Sequence, residues 1–138
     1  MRFVAQLALL LVPKQEAWIV YPGGEGPGKG KHIVFIAAEE SYRSQESMPQ
    51  MAGILSKHGF KCTVLFGIDP KDGTINPMVK DNIPGLEALE SADLLVAFVR
   101  WRELPDDQMK RIIDYTESGK PIVGIRNATH PFKYAKRP

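Results

Sequence analysis

Short apolar runs recur along the chain, each closed by polar or turn-forming residues. "HIVFIAA" (His32–Ala38) is continuous rather than alternating, and "EE" ends it. Such a run predicts a strand covered on both faces, as in a parallel sheet. "FKCTVLFG" (Phe60–Gly67), "DLLVAFVR" (Asp93–Arg100) and "PIVGI" (Pro121–Ile125) read the same way.

Between these runs the apolar period changes. Met48, Met51, Ala52 and Leu55 recur at i, i+3, i+4 and i+7, the face of an amphipathic helix. Ser47 is placed to cap it, Pro49 falls in the first turn, and Gly59 stops it. "LPDDQMKRIIDYTESG" is the plainer helix. Pro105 opens it, Asp106 and Asp107 favour its positive end, Met109, Ile112, Ile113 and Thr116 form a stripe, and Gly119 closes it. "IDPKDGTINP" is a turn-rich loop, and "IPGLEALESA" is a short helical or irregular segment. The order of elements predicts a doubly wound α/β fold, flavodoxin-like, with a mostly parallel sheet. Four strands are expected in the order 2-1-3-4, with helices on both faces.

The first residues break the pattern. "MRFVAQLALLLV" has one Arg and then a greasy run. It is shorter than the about 20 residues a bilayer span needs. It matches either the start of a secretory signal or a hydrophobic first helix, so residues 1–17 are set aside. The chain is exported or periplasmic in the first case and cytoplasmic in the second. "YPGGEGPGKGK" (Tyr21–Lys31) reads as part of a Gly-rich linker over 18–31, leaving 32–138 as the α/β domain.

Composition narrows the partners. A net charge of +2 in 138 residues, with no basic stripe, gives no footprint for nucleic acid. The single cysteine, Cys62, excludes an internal disulfide and CxxC metal spacing, and its strand context predicts a buried thiol. The glycine run lacks the GK[ST] of a P-loop.

In sheets of this kind ligands sit beyond the carboxyl ends of the strands, near the reversal of strand order. Chemistry-bearing residues gather at those exits: Glu39, Glu40, Ser41, Tyr42, Arg43 and Ser44 after the first strand, Arg100, Trp101, Arg102 and Glu103 after the third, and Arg126, Asn127, Thr129 and His130 after the fourth. The opposite loops, "KHGFK", "ESADL" and "ESGKP", carry nothing comparable. A phosphoacceptor domain needs Asp at the third exit, where Arg100 stands. In a flavodoxin-type phosphate loop Glu39 and Glu40 would repel the phosphate. Carboxylates and imidazole suit divalent ions, but no spacing among Glu39, Glu40 and His130 specifies one, and neither metal nor cofactor is implied.

"GKHIVFIAAEESYRSQESMPQMAGILSKHGFKCTVLF", "NIPGLEALESADLLVAFVRWRELPDDQM" and "GKPIVGIRNATHPF" together resemble the ThuA-like (trehalose-utilisation) domain of the class I glutamine amidotransferase-like superfamily. The superfamily carries a cysteine in a G-x-C-x-G elbow. Over "GIRNA" the same elbow gives Gly124, then Arg126 in the cysteine's place, and Ala128. Arginine stays protonated and cannot act as nucleophile or base. The resemblance therefore implies a carbohydrate-related domain that binds or transforms a sugar without glutaminase chemistry. His130 and Glu40 are its candidate acid/base groups, and Glu39, Tyr42, Arg43, Arg100, Arg102, Arg126 and Thr129 are candidate ligand contacts. The alternatives are a non-catalytic ligand- or protein-binding module and a truncated, non-functional fragment. Family domains continue past "THPF", so an exposed sheet edge beside the fourth strand, open to self-association, is expected.

Overall fold

A computed structural model describes residues 16–135. Most of the segment 1–17, and with it the choice between signal and first helix, lies outside the described residues. The fold is α/β, built on five strands. They are β1 (Trp18–Tyr21), β2 (His32–Ala38), β3 (Lys61–Phe66), β4 (Leu94–Val99) and β5 (Ile122–Gly124), in the order β1-β3-β2-β4-β5. This corrects the four-strand expectation. The added strand β1 runs antiparallel to β3, while the β2–β3, β2–β4 and β4–β5 pairs are parallel.

Strand β2 is central, and all seven of its residues are buried. Its side chains alternate between two cores, as the pleat requires. Val34, Ile36 and Ala38 face one core with Leu65, Leu95 and Val99. Helix α2 (Asp106–Glu117) and a 3₁₀ turn over Leu86–Ser91 cover it. Ile33, Phe35 and Ala37 face the other core with Val64, Phe66 and Phe98, beneath helix α1 (Ser44–Ser56). Each core side chain of this size contributes about 1.5–3 kcal/mol on burial.

Both helices differ in detail from the pattern reading. Helix α1 begins at Ser44, one turn before the expected cap, so Ser47 lies inside it and Pro49 is its sixth residue. Met48 and Ala52 are buried beneath it while Met51 is partly exposed. On α2, Ile112 and Tyr115 form the buried face and Ile113 turns outward. The phenol of Tyr115 reaches past the apolar layer to donate to the Pro121 carbonyl at 2.9 Å.

The glycine run is no free linker. It joins β1 to β2 and packs on the turn after α1, where the amides of Gly24 and Gly28 donate to the carbonyls of Gly59 and His58. A Cβ at Gly28 would run into the Phe60 ring. At the other edge, β5 is exposed along its length and not buried as its composition suggests. Pro121 C=O and Ile125 N–H bond to β4. The backbone groups of Ile122 and Gly124 therefore point away from the sheet.

Candidate functional site

Three strand exits meet on one buried carboxylate. Glu39 follows β2 directly and is 0% exposed. Its Oε1 accepts from the Ser41 amide at 2.8 Å and its Oε2 from the Tyr42 amide at 2.6 Å. Asn127 of the β5 exit donates to Oε1 at 3.3 Å. Arg100 of the β4 exit lies 4.0 Å from that oxygen. An ionised carboxylate survives burial only with such donors around it. Ser44 locks the turn further, with its hydroxyl bonding both the amide and the carbonyl of Glu39.

Glu40 and the two arginines form a second layer. Arg102 is fully buried. Its Nε donates to the Arg100 carbonyl at 2.7 Å, one terminal nitrogen donates to the carbonyls of Pro77 and Val79 at 2.9 and 2.6 Å, and the other donates to Glu40 at 2.6 Å. Burial pushes the Arg102 pKa down, and the Glu40 and Glu39 carboxylates pull it back up. Arg102 is thus a staple between β4 and the 77–79 loop, which corrects its expected place among the ligand contacts. Glu40, expected as an acid/base candidate, is occupied on both oxygens, by Arg102 and by Arg100 at 3.4 Å. Glu39, expected as a ligand contact, is sealed beneath the rim.

The remaining candidates face solvent. Arg126 is exposed and its guanidinium lies 3.9 Å over the Tyr42 ring. Arg100 stacks 3.7 Å over Trp101 and also donates to the Ser41 hydroxyl at 2.9 Å. Trp101 in turn meets the His130 ring at 5.9 Å between centroids, and the Lys133 ammonium sits 5.4 Å from its ring. Thr129 bonds His130 Nδ1 at 3.1 Å. Arg43 pairs with Glu46 on the first turn of α1. Residues 130–133 run beside the β4 exit, bonded through the Trp101 and Arg102 amides and the Lys133 amide, and this places His130 and Lys133 against Trp101.

The backbone is strained at these exits. Among the described residues, the non-glycine residues with left-handed φ are Arg43 (55°), Trp101 (50°) and Arg126 (48°). Each stands on a strand exit of the same rim, and such conformations cost about 1–2 kcal/mol each for residues with a Cβ. The β5 exit is an elbow in which Gly124 abuts Ala128, and a Cβ at position 124 would stand 3.1 Å from that of Ala128.

Ser41 and Asn127, which the sequence places at the strand exits without a role, join this assembly as partners of Arg100 and Glu39. Lys133 lies beyond the exits, and nothing in the sequence marked it. Among the described residues no three His, Cys, Asp or Glu side chains gather as a metal ion requires. No described helix is long and apolar enough to cross a membrane. The chain matches no family model, no curated protein and no solved structure.

Proposed function

We propose that the chain is a ThuA-like domain of flavodoxin-like type whose strand-exit rim holds a sugar or sugar derivative, and that it has no glutaminase activity. The observation that carries this reading is the β5 exit. A tight left-handed elbow between Gly124 and Ala128 presents Arg126 where the superfamily presents a thiol. Cys62 cannot stand in, because it is buried in β3 and burial pushes its thiol up to about 11. What faces solvent instead is a guanidinium fork, two aromatic rings, hydroxyls and an imidazole. Rings stack on the C–H faces of sugars, and forks and hydroxyls bond their vicinal oxygens.

The test is a titration of the chain with glucose, trehalose and their oxidised derivatives, read by tryptophan fluorescence. Saturable binding that Trp101→Ala and Arg126→Ala weaken at least tenfold supports the reading. Absence of binding across the panel refutes it, as does ammonia release from glutamine.

The second reading, a non-catalytic binding module, is favoured by the state of Glu40. A carboxylate 13% exposed, with one oxygen held by Arg102 at 2.6 Å and the other facing Arg100 at 3.4 Å, is placed as an ion-pair partner more than as an acid/base group. Binding without turnover of any sugar in the panel supports the module. Turnover lost in His130→Ala with binding retained supports the enzyme. In either case β5 is proposed as a self-association edge, since its own Ile122 and Val123 are 44% and 48% exposed. Beneath it an apolar cleft of about 200 Å³ is lined by Leu95, Ile112 and Phe132.

A further inference from the structure

The charges of the rim are not all matched. Glu39 and Glu40 are turned inward and spent on Arg100 and Arg102, so that layer is neutral. Arg43 is neutralised by Glu46. Lys80 and Asp81 of the adjoining loop carry opposite charges, and Glu103, which accepts from the Ala135 amide, keeps its own. Against that single carboxylate stand Arg126 and Lys133. Both are exposed, and neither has a carboxylate within ion-pair distance among the described residues. They contact the two rings of the rim, Arg126 over Tyr42 and Lys133 over Trp101. A polyol seated between those rings therefore lies in a positive field.

The kind of anion follows from the backbone. Phosphate sites in folds of this type use free amides at the start of the helix after a strand. Here the amides of Ser41 and Tyr42 are already held by Glu39 at 2.8 and 2.6 Å, and those of Glu46 and Ser47 donate to the Arg43 carbonyl. The Glu39 carboxylate thus already fills the amide turn at the β2 exit and repels a second anion from it, so an added anion is held by side chains. A planar fork suits a carboxylate, which it can bond in two parallel contacts.

Resting on the sugar reading above, we propose that the ligand is a sugar acid, whose carboxylate is held by Arg126 with Lys133 and whose ring lies against Trp101. The experiment is calorimetric titration of the whole chain with glucose, glucuronate, glucose 6-phosphate and acetate, at 50 and 500 mM salt. Glucuronate is expected to bind at least about tenfold more tightly than glucose, one charge-assisted contact being enough for that ratio. The advantage shrinks at high salt. Arg126→Gln and Lys133→Ala each reduce it, while Arg126→Lys retains part of it. Circular dichroism of each variant establishes that it is folded. Equal affinity for glucose and glucuronate overturns the sugar-acid proposal and leaves the sugar reading standing. No binding of any of the three sugars overturns the sugar reading itself. Tighter binding of glucose 6-phosphate, or equal binding of acetate, overturns the sugar-acid assignment in favour of a phosphate or a bare anion site.

Discussion

Asn127 donates to the buried carboxylate of Glu39 at 3.3 Å across 88 residues of chain. That bond ties the exit of the edge strand to the exit of the central one. Replacing the carboxylate by an amide turns one of its two acceptor oxygens into a donor, which leaves the N–H groups on that side without a partner. Glu39→Gln is expected to cost roughly 2–4 kcal/mol, because each buried donor left unpaired costs about 1–3 kcal/mol. Urea unfolding checks this. A loss below about 0.5 kcal/mol, within the error of the extrapolation, would show that the three exits hold without it.

Arg102 gives a sharper contrast. Arg102→Met leaves Glu40 mostly buried and the carbonyls of Pro77 and Val79 without a donor. A loss of about 3–5 kcal/mol is expected for breaking a buried pair from one side. The double variant Arg102→Met with Glu40→Gln removes the carboxylate left with Arg100 alone at 3.4 Å and is expected to recover part of that loss. If the double variant is no more stable than the single one, the cost lies in the loop carbonyls rather than in the ion pair.

The stability of the fold has an acid limb that starts above the carboxylate range. His32 is buried between Ser91 and Thr63, bonding them at 3.0 and 2.8 Å. Burial first, and then the Lys61 charge, lower its pKa from the ordinary 6.5. The unfolded chain then takes up a proton at a pH where the fold resists it, so stability is full above about 6.5 and falls as pH drops below that. Thermal melts between pH 7.5 and 5 are expected to show a slope that His32→Gln flattens. Asp93 acts in a separate window. Its lowered pKa, set mainly by the His32 amide, withdraws stability only below about pH 4.

The elbow can be separated from the side chain it carries. Arg126→Gly and Arg126→Val both remove the guanidinium and its stack on Tyr42. They differ in what φ 48° demands of them. Glycine adopts that conformation freely, and a β-branched residue does not. The two variants are expected to differ in unfolding free energy by about 2 kcal/mol, with glycine the more stable. Equal stabilities would mean that the backbone relaxes out of the left-handed region on substitution.

The open edge is testable by charge. Val123→Lys places an ammonium on the exposed strand, a device that blocks edge pairing. Sedimentation velocity is expected to show the native chain associating with rising concentration and the variant remaining a monomer. Identical profiles would count against β5 as the interface.

Much of the fold was legible because its central strands are largely buried and its helices amphipathic. The continuous run at His32–Ala38 left little alternative to a central strand. β1 was not legible, since four residues between a greasy segment and a glycine run carry no periodicity of their own. The start of α1 was misplaced because Pro49 suggests a first turn, whereas the turn that begins the helix is set by the left-handed Arg43 and the Glu39 carboxylate. At the site, composition located the rim and misassigned its depth. Arg100 and Arg102 look equivalent in sequence. The left-handed Trp101 between them breaks the strand alternation, leaving Arg100 on the rim and sending Arg102 inward.

The rim has jaws of unequal stiffness. Tyr42 and Trp101 hang from β2 and β4, strands paired on both sides in the middle of the sheet. Arg126 and His130 follow a three-residue edge strand that bonds a neighbour on one side only. Amide hydrogens along β5 should therefore exchange well before those of β2, and the edge should peel as a unit. When it does, the Arg126 cation moves away from the Tyr42 ring, while His130 stays tied to the β4 exit through the Trp101 amide. A ligand held as proposed would need no dedicated lid on that side, because the fraying of one short strand moves Arg126 aside.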